Sequence, residues 1–301
     1  MASIASLHLY PVKSCAGLTL ETAVLGPAGL ESQGLGDREW MVVDAGSGEF
    51  LTQRQEPRMA LIVPAIVPAI VPAVVPAIVP AVLPAIAPGQ LLLNAPGMPA
   101  LCVALDDASG RAATLAVQVW NHACHAIDEG EAVAAWLSRF LGRPLRLARF
   151  APAHRRPANR EWTGAVEALN RFSDGYPVLM ISTASLADLN RRLGEAGREA
   201  LPMNRFRPNI VLGGVEAFDE DRFASLACGP MVLRPVKACP RCPIPSIDQA
   251  TGSYGPDPLD ILVRYRDHPT LGVVFGQNVV VAAGVGSSIA IGQELATEWN
   301  F

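Results

Sequence analysis

Cys239 and Cys242 stand three residues apart in "KACPRCPIPSID" (Lys237 to Asp248), within a chain of 301 residues that has six cysteines. Two thiols at that spacing suit three kinds of chemistry: half of a structural zinc site, a thioredoxin-like redox pair, or one thiolate ligand beside a bystander. Structural zinc takes four ligands, so the first reading needs a second pair. The candidates are His122 and His125, which flank Ala123 and Cys124 in "NHACHA". They follow the run "TLAVQVW" directly, without finger-like spacing to the cysteines, and read as surface or turn residues. A redox pair belongs at a helix N-terminus, where the dipole lowers a thiol pKa. Pro243 and Pro245 oppose a helix at that point. The third reading fits an extended, proline-pinned loop that holds one soft ligand rigidly in a cleft. Residue types alone leave the metal unnamed.

The elements that must position these residues are mostly strands. In the first half, "EWMVVD" (Glu39 to Asp44), a Gly-rich turn over 45–48 and "GEFLTQ" predict a hairpin. "QLLLNAPGMPALCVAL" and "TLAVQVW" (Thr114 to Trp120) predict further strands around turns. A helix is predicted over 131–141, because Val133, Trp136, Leu137, Phe140 and Leu141 recur at helical spacing before Gly142 and Pro144 stop it. A second is predicted over 184–193, with Ser182 or Thr183 as cap and Leu186, Leu189 and Leu193 on one face. Beyond it, "NIVLGG", "MVLRPV", "LDILVRY" and "GVVFGQNVVVAAG" predict strands. The chain reads as two β-rich halves joined through the first helix.

Composition bounds the partners and the compartment. A net charge of −4 opposes nucleic-acid binding by bulk charge. At the N-terminus, Ile4, Leu7 and Leu9 mix with Ser and His as in a strand, so no signal peptide is expected. Six cysteines without such a signal read as reduced thiols in the cytoplasm. The uncharged stretch from Met59 to Leu105 could pass for a membrane span, but Pro64, Pro68, Pro72, Pro76, Pro80, Pro84 and Pro88 recur through it every four residues. Each interior proline costs a helix about 3 kcal/mol, and a polyproline-like strand in lipid would leave its backbone unsatisfied. The repeat over 63–88 therefore reads as a low-complexity surface loop, and no membrane association is expected.

"KACPRCPIPSIDQATG" resembles the signature of the MOSC family, named for the C-terminal domain of molybdenum cofactor sulfurase. Arg241, Cys242, Asp248, Thr251 and Gly252 fit that signature. "LYPVKSCAG", "GDREWMVVD" and "FLTQRQEPRMALI" resemble the β-barrel that precedes MOSC domains, and "RFRPNIVLGG" and "FGQN" resemble later blocks. The resemblance implies a mainly β, α+β fold with a few helices. It would comprise an N-terminal β-barrel domain over 1–125 and a C-terminal MOSC β-barrel domain over 126–301, with its core at about 150–296.

It also implies a molybdenum–molybdopterin cofactor, with Cys242 as protein ligand to the metal and hence the catalytic residue. For the pterin and its phosphate, Lys13, Ser14, Arg38, Arg207, Asn209 and Arg241 occupy matching positions. They offer cations, planar forks, a hydroxyl and an amide suited to the task. Ser182 and Thr183 stand where a helix N-terminus could also meet an anion.

The implied activity is reduction of small N-hydroxylated compounds, as in amidoxime-reducing components and bacterial proteins that detoxify N-hydroxylated bases. No cysteine follows Cys242 to ligate an iron–sulfur cluster, so electrons are expected from a separate ferredoxin or flavin reductase. The alternative is a carrier of molybdenum cofactor or sulfur, without redox turnover of its own.

Overall fold

Seven strands close into a ring whose first member is the N-terminal strand Ala2–Leu9. Going round, Ala2–Leu9 pairs with Glu294–Trp299, then come Phe223–Cys228, Met231–Pro240, Gly272–Ala283, Val178–Ser182 and Ile210–Gly213, which returns to Ala2–Leu9. The computed structural model describes residues 1–67, 90–104 and 114–300. Within them the protein is mostly β, with four α-helices. The ring draws strands from both sides of the expected boundary at 125/126.

Local sequence explains the ring's geometry. In Ala2–Leu9 the buried residues are Ala2 and Ile4, then Leu7 and Leu9, a change of parity that alternation alone forbids. A β-bulge between Ile4 and Ser6 supplies the extra residue and returns the apolar side chains to the inside. Val178–Ser182 and Ile210–Gly213 are the parallel neighbours of the ring. They are joined through the helix α1, Thr183–Glu195, in the crossover that parallel pairing requires. Met231–Pro240 lies inside the sheet yet contains Pro235 and Pro240, which cannot donate to a ladder. Its pairing with Gly272–Ala283 accommodates them at register shifts, one between Pro235 and Lys237 and another between Ala238 and Pro240. Those shifts bend the strand end that carries Cys239.

A second sheet orders Thr114–Val119, His122–Asp128, Leu145–Phe150 and Trp40–Asp44. The helix Glu131–Leu141 spans the expected residues, ends on Gly142 in the left-handed region, and buries Val133, Trp136, Leu137 and Leu141. These join the barrel interior in one apolar core that includes Leu7, Leu9, Val12, Trp40 and Leu233. Trp40–Asp44 continues through a turn to Phe50, which bridges back to Val43, as the hairpin reading anticipates.

Two expectations are corrected. "LDILVRY" forms the helix Leu259–Arg266, with Pro258 at its N-cap and Ile261 and Leu262 buried. A short apolar run carries too few periods to separate helix from strand. The beginning of the proline repeat, Val63–Val67, is a strand paired with Gln90–Asn94 rather than a loop. Pro64 is tolerated because this strand lies at the edge of its three-stranded sheet, where a missing donor breaks no second ladder. The rest of the repeat, 68–89, lies outside the described residues. No helix among the described residues is long and apolar enough to cross a membrane.

Candidate functional site

One cleft gathers most of the residues singled out above. Lys13, Ser14, Arg38, Arg207, Asn209, Arg241 and Cys242 line it together, with Arg54, Asp174 and Cys239. They arrive from different directions. Lys13 and Ser14 follow the strand Ala2–Leu9, and Arg38 precedes Trp40–Asp44. Arg207 and Asn209 precede Ile210–Gly213, and Arg241 and Cys242 leave the bent end of Met231–Pro240. Closing the ring is what brings them to one place.

The backbone is strained where it lines the cleft. Ser14, Arg38 and Arg207 hold φ of 65°, 47° and 57°, in a left-handed region that non-glycine residues seldom occupy. Each such residue costs of order 1–3 kcal/mol, and the surroundings must enforce it. Here the enforcement is visible. Arg38 N–H donates to Tyr10 O at 2.7 Å, and Arg38 O accepts from Phe172 N at 2.9 Å. The Arg38 and Arg207 guanidinium carbons lie 4.4 and 4.3 Å from the centroid of the buried Tyr10 ring. Burial pushes the Tyr10 hydroxyl up to about 12, so the ring stays neutral between two cations. Arg207 also donates to Cys15 O at 2.6 Å. Burial, reinforced by the nearby Arg38 charge, pulls its guanidinium down to about 10, still charged at neutral pH.

Asn209 is committed to the protein. Its amide nitrogen donates to His8 O and Asp37 Oδ1, and its oxygen accepts from Arg38 Nη1 and Leu179 N. With all four capacities used, it positions Arg38. The buried Asp37 does the same, accepting from Tyr10 N, Asn209 and Arg38. Lys13 Nζ donates to Phe172 O at 2.8 Å and to Asp174 Oδ1 at 2.5 Å. Burial lowers its pKa, and Asp174 opposes that shift.

Of the two cysteines, Cys239 is engaged by its neighbour: Arg241 Nη1 donates to its Sγ at 3.3 Å. Burial raises the Cys239 thiol pKa, with Arg241 working against it. Cys242 lies beyond, followed by a single 3₁₀ turn, Ile244–Ser246, in place of a longer helix. The rest of the signature anchors this loop. Asp248 Oδ1 accepts from the backbone of Ala250 and Thr251 and from the Thr251 hydroxyl, while Oδ2 accepts from Arg205 at 2.7 Å. Gly252, at φ 63°, packs so closely that a Cβ there would meet Arg58 Cα at 3.2 Å and Leu61 Cγ at 3.1 Å. Gln249 and Gln53 exchange hydrogen bonds at 3.0 Å, and Tyr254 Oη donates to Arg54 O at 2.7 Å. The loop after Cys242 is thereby docked on the segment that carries Arg54.

Ser182 and Thr183 are not brought to the cleft. Ser182 caps α1, its hydroxyl accepting from Ser185 N at 3.0 Å, and its own N–H donates to Glu220 Oε1 at 3.0 Å. The protein's own carboxylate sits where the anion was expected. His122 and His125 lie exposed on the strand His122–Asp128, apart from the cleft.

The cleft therefore faces five cations (Lys13, Arg38, Arg54, Arg207 and Arg241) with two carboxylates, Asp174 on Lys13 and Asp37 on Arg38, in a protein of net charge −4. Several donors in it are unspent. Arg241 Nε is buried without a partner, and among the described residues no group bonds the Ser14 hydroxyl or pairs with the Arg54 guanidinium. A half-buried thiol beside that donor set suits a ligand with anionic oxygens at one end and a thiophilic centre at the other. Tyr10, Asp37, Arg54 and Asp174 escaped the sequence reading. Only the first three had a signal, adjacency to Pro11, Arg38 and Gln53 within the blocks that resemble the family.

Fold and site together define a β-barrel protein whose cationic cleft is edged by one cysteine-bearing loop. Residues 1–144 match the MOSC N-terminal beta barrel domain and residues 168–296 the MOSC domain. The chain is 32% identical to human mitochondrial amidoxime-reducing component 1 over 271 residues, covering 88% of this chain and 72% of that protein. It is 31% identical to bovine mitochondrial amidoxime reducing component 2, covering 88% and 73%. Against bovine molybdenum cofactor sulfurase it is 31% identical, over 88% of this chain but only 29% of that longer protein. The chain belongs to the MOSC family, in the form that joins the N-terminal barrel to the MOSC domain.

Proposed function

We propose that the protein is a molybdenum-cofactor-dependent reductase of small N-hydroxylated compounds. The observation that carries this reading is the excess of cations over carboxylates in a cleft that also holds Cys242, in a chain similar along most of its length to amidoxime-reducing components. In this reading Cys242 ligates the metal. Arg207, Arg38, Lys13, Ser14 and Arg241 hold the pterin and its phosphate, and Asn209 and Asp37 set the Arg38 fork. Ser182 and Thr183 have no part in it. When bound, the cofactor supplies two electrons, and with two protons the N–O bond is broken, giving N–H and water.

What the chain's own residues contribute is placement and charge. Tyr10 keeps two guanidinium groups at fixed separation without neutralising either. The pair Lys13–Asp174 fixes one wall of the cleft, and the loop Asp248 to Tyr254 holds Cys242 against the opposite segment. Electrons come from a separate ferredoxin or flavin reductase. All six cysteines are free thiols, which supports a reducing compartment, the cytoplasm in this reading.

The test is metal and pterin analysis of the purified protein and of Cys242→Ala and Cys239→Ala. Cys242→Ala is expected to hold less than about a tenth of the wild-type molybdenum, since it removes a first ligand outright. Cys239→Ala should keep it. Full molybdenum in both variants overturns the assignment of Cys242. Loaded wild type that leaves amidoximes, hydroxylamines and N-hydroxypurines unreduced with a competent donor overturns the reaction.

A further inference from the structure

The structure assigns Trp120, with Arg54 and Phe50, to a recognition shelf for planar, conjugated substrates at the mouth of the cleft. The assignment rests on the reductase reading and adds to it the class of substrate the site prefers. The strands Thr114–Val119 and His122–Asp128 are joined by the two residues Trp120 and Asn121, with Val119 paired to His122. Of these two only Trp120 has positive φ, at 53°, the pattern of a type II′ turn. That first central position is the seat of glycine, and a large aromatic residue there is an outlier the fold must sustain.

Its contacts fix the ring but leave much of it open. Trp120 is 40% exposed, one of the exposed large apolar residues among those described. Yet it is held in place on every polar and aromatic handle it has. Its Nε1 donates to Asp174 Oδ1 at 3.1 Å, the carboxylate that also pairs with Lys13 in the cleft. Its ring meets Phe50 edge to face at 5.1 Å, and the Arg54 guanidinium lies 4.8 Å from its centroid. Arg54 and Thr52 line both the cleft and a groove of about 470 Å³ walled by Trp120 and Phe50, so the two spaces share an edge. The groove is within the size range of small-molecule sites.

The chemistry of the groove selects its occupant. An indole and a guanidinium are both flat and both stack on conjugated groups, whereas an aliphatic chain gains only contact area from them. The Arg54 guanidinium has no carboxylate partner among the described residues, so its donors are available to an acceptor on the ligand. A substrate whose N-hydroxylated group reaches into the cleft would leave its conjugated ring on this shelf.

The experiment is equilibrium binding, by calorimetry, of benzamidoxime and acetamidoxime to the purified cofactor-loaded protein without an electron donor. Wild type should bind the aromatic compound about tenfold more tightly. Trp120→Ala should erase that preference by weakening benzamidoxime alone. Trp120→Phe, which keeps a π face but loses the N–H to Asp174, should retain most of it. Arg54→Gln should weaken benzamidoxime severalfold and acetamidoxime little. The inference is overturned if wild type shows no preference or binds neither compound. It is equally overturned if Trp120→Ala weakens both alike, or if Trp120→Phe behaves as the alanine variant does, because Trp120 would then only brace Asp174. Turnover is scored separately with a donor present. Preference without turnover removes the reductase reading and leaves the shelf, and turnover without preference removes only the shelf.

Discussion

At the N-terminus of α1 and in the cleft, the protein assembles groups able to hold an anion, but it completes only one of them itself. At the helix, Ser182 caps the first turn and the Glu220 carboxylate accepts the Ser182 N–H, so the negative charge is already built in. In the cleft, five cations meet two carboxylates, Asp174 on Lys13 and Asp37 on Arg38, and donors on Arg241, Ser14 and Arg54 are left over. A helix N-terminus attracts any carboxylate the fold can place there, whereas clustered cations repel one another and persist only if something pays the difference. In the reading proposed above, unbalanced charge held by strained backbone, more than an available dipole, distinguishes the cleft.

Paired substitutions separate the two regions most directly. Arg207→Gln removes a buried charge from the cleft, and charge-assisted hydrogen bonds of this kind are worth about 1.5–3 kcal/mol. Pterin bound per chain, measured after release and fluorescence assay, should fall by about ten- to a hundredfold when the cofactor is limiting. Ser182→Ala should leave pterin content unchanged. Retention by Arg207→Gln, or loss by Ser182→Ala, would reverse the roles given to the two regions.

Ser182→Ala should be felt in stability instead. The hydroxyl that accepts from Ser185 N is a helix N-cap, whose removal costs about 1 kcal/mol. Urea unfolding followed by far-ultraviolet circular dichroism should show a lower midpoint with an unchanged slope. An unchanged midpoint would mean that Glu220 alone satisfies the helix terminus.

How much of this was readable beforehand follows from what each signal depends on. The helix Glu131–Leu141 is legible in the sequence, because its apolar spacing and its Gly142 stop are local facts. The short run at Leu259–Arg266 is not, because tertiary packing decides such runs. Cys242 and the cations were visible as family blocks, but their partners were not. Asp174 and Lys13 are 161 positions apart, and Arg38 and Asn209 are 171 apart. No spacing rule reaches across that distance; only closure of the ring does. For the same reason the type of Asn209 suits a cofactor ligand, while its four protein partners, all distant in sequence, commit its amide to the protein. Ser182 lies away from the cleft, its N–H bonded to Glu220, a partner 38 positions on that no local spacing reveals.

Glu220 supplies the test most specific to the helix site. Glu220 is 1% exposed, and its Oε2 is buried without a partner. Burial raises its pKa above the ordinary 4.5, and the neighbouring Asp221 adds to that, against hydrogen bonds from Ser185 and Ser182. A carboxyl whose pKa is higher in the folded than in the unfolded state binds more protons when folded, so stability falls as pH rises through that interval. The contribution is whole below about pH 4.5 and is lost as pH climbs through the raised native value. In Glu220→Gln the side chain no longer titrates, so the difference in unfolding free energy between variant and wild type should move in the variant's favour with rising pH. Any constant offset from the new amide cancels in that slope. A difference that stays flat with pH, or moves in wild type's favour, would mean that the α1 terminus stabilises the Glu220 charge fully, and that the helix site is as well balanced as its hydrogen bonds suggest.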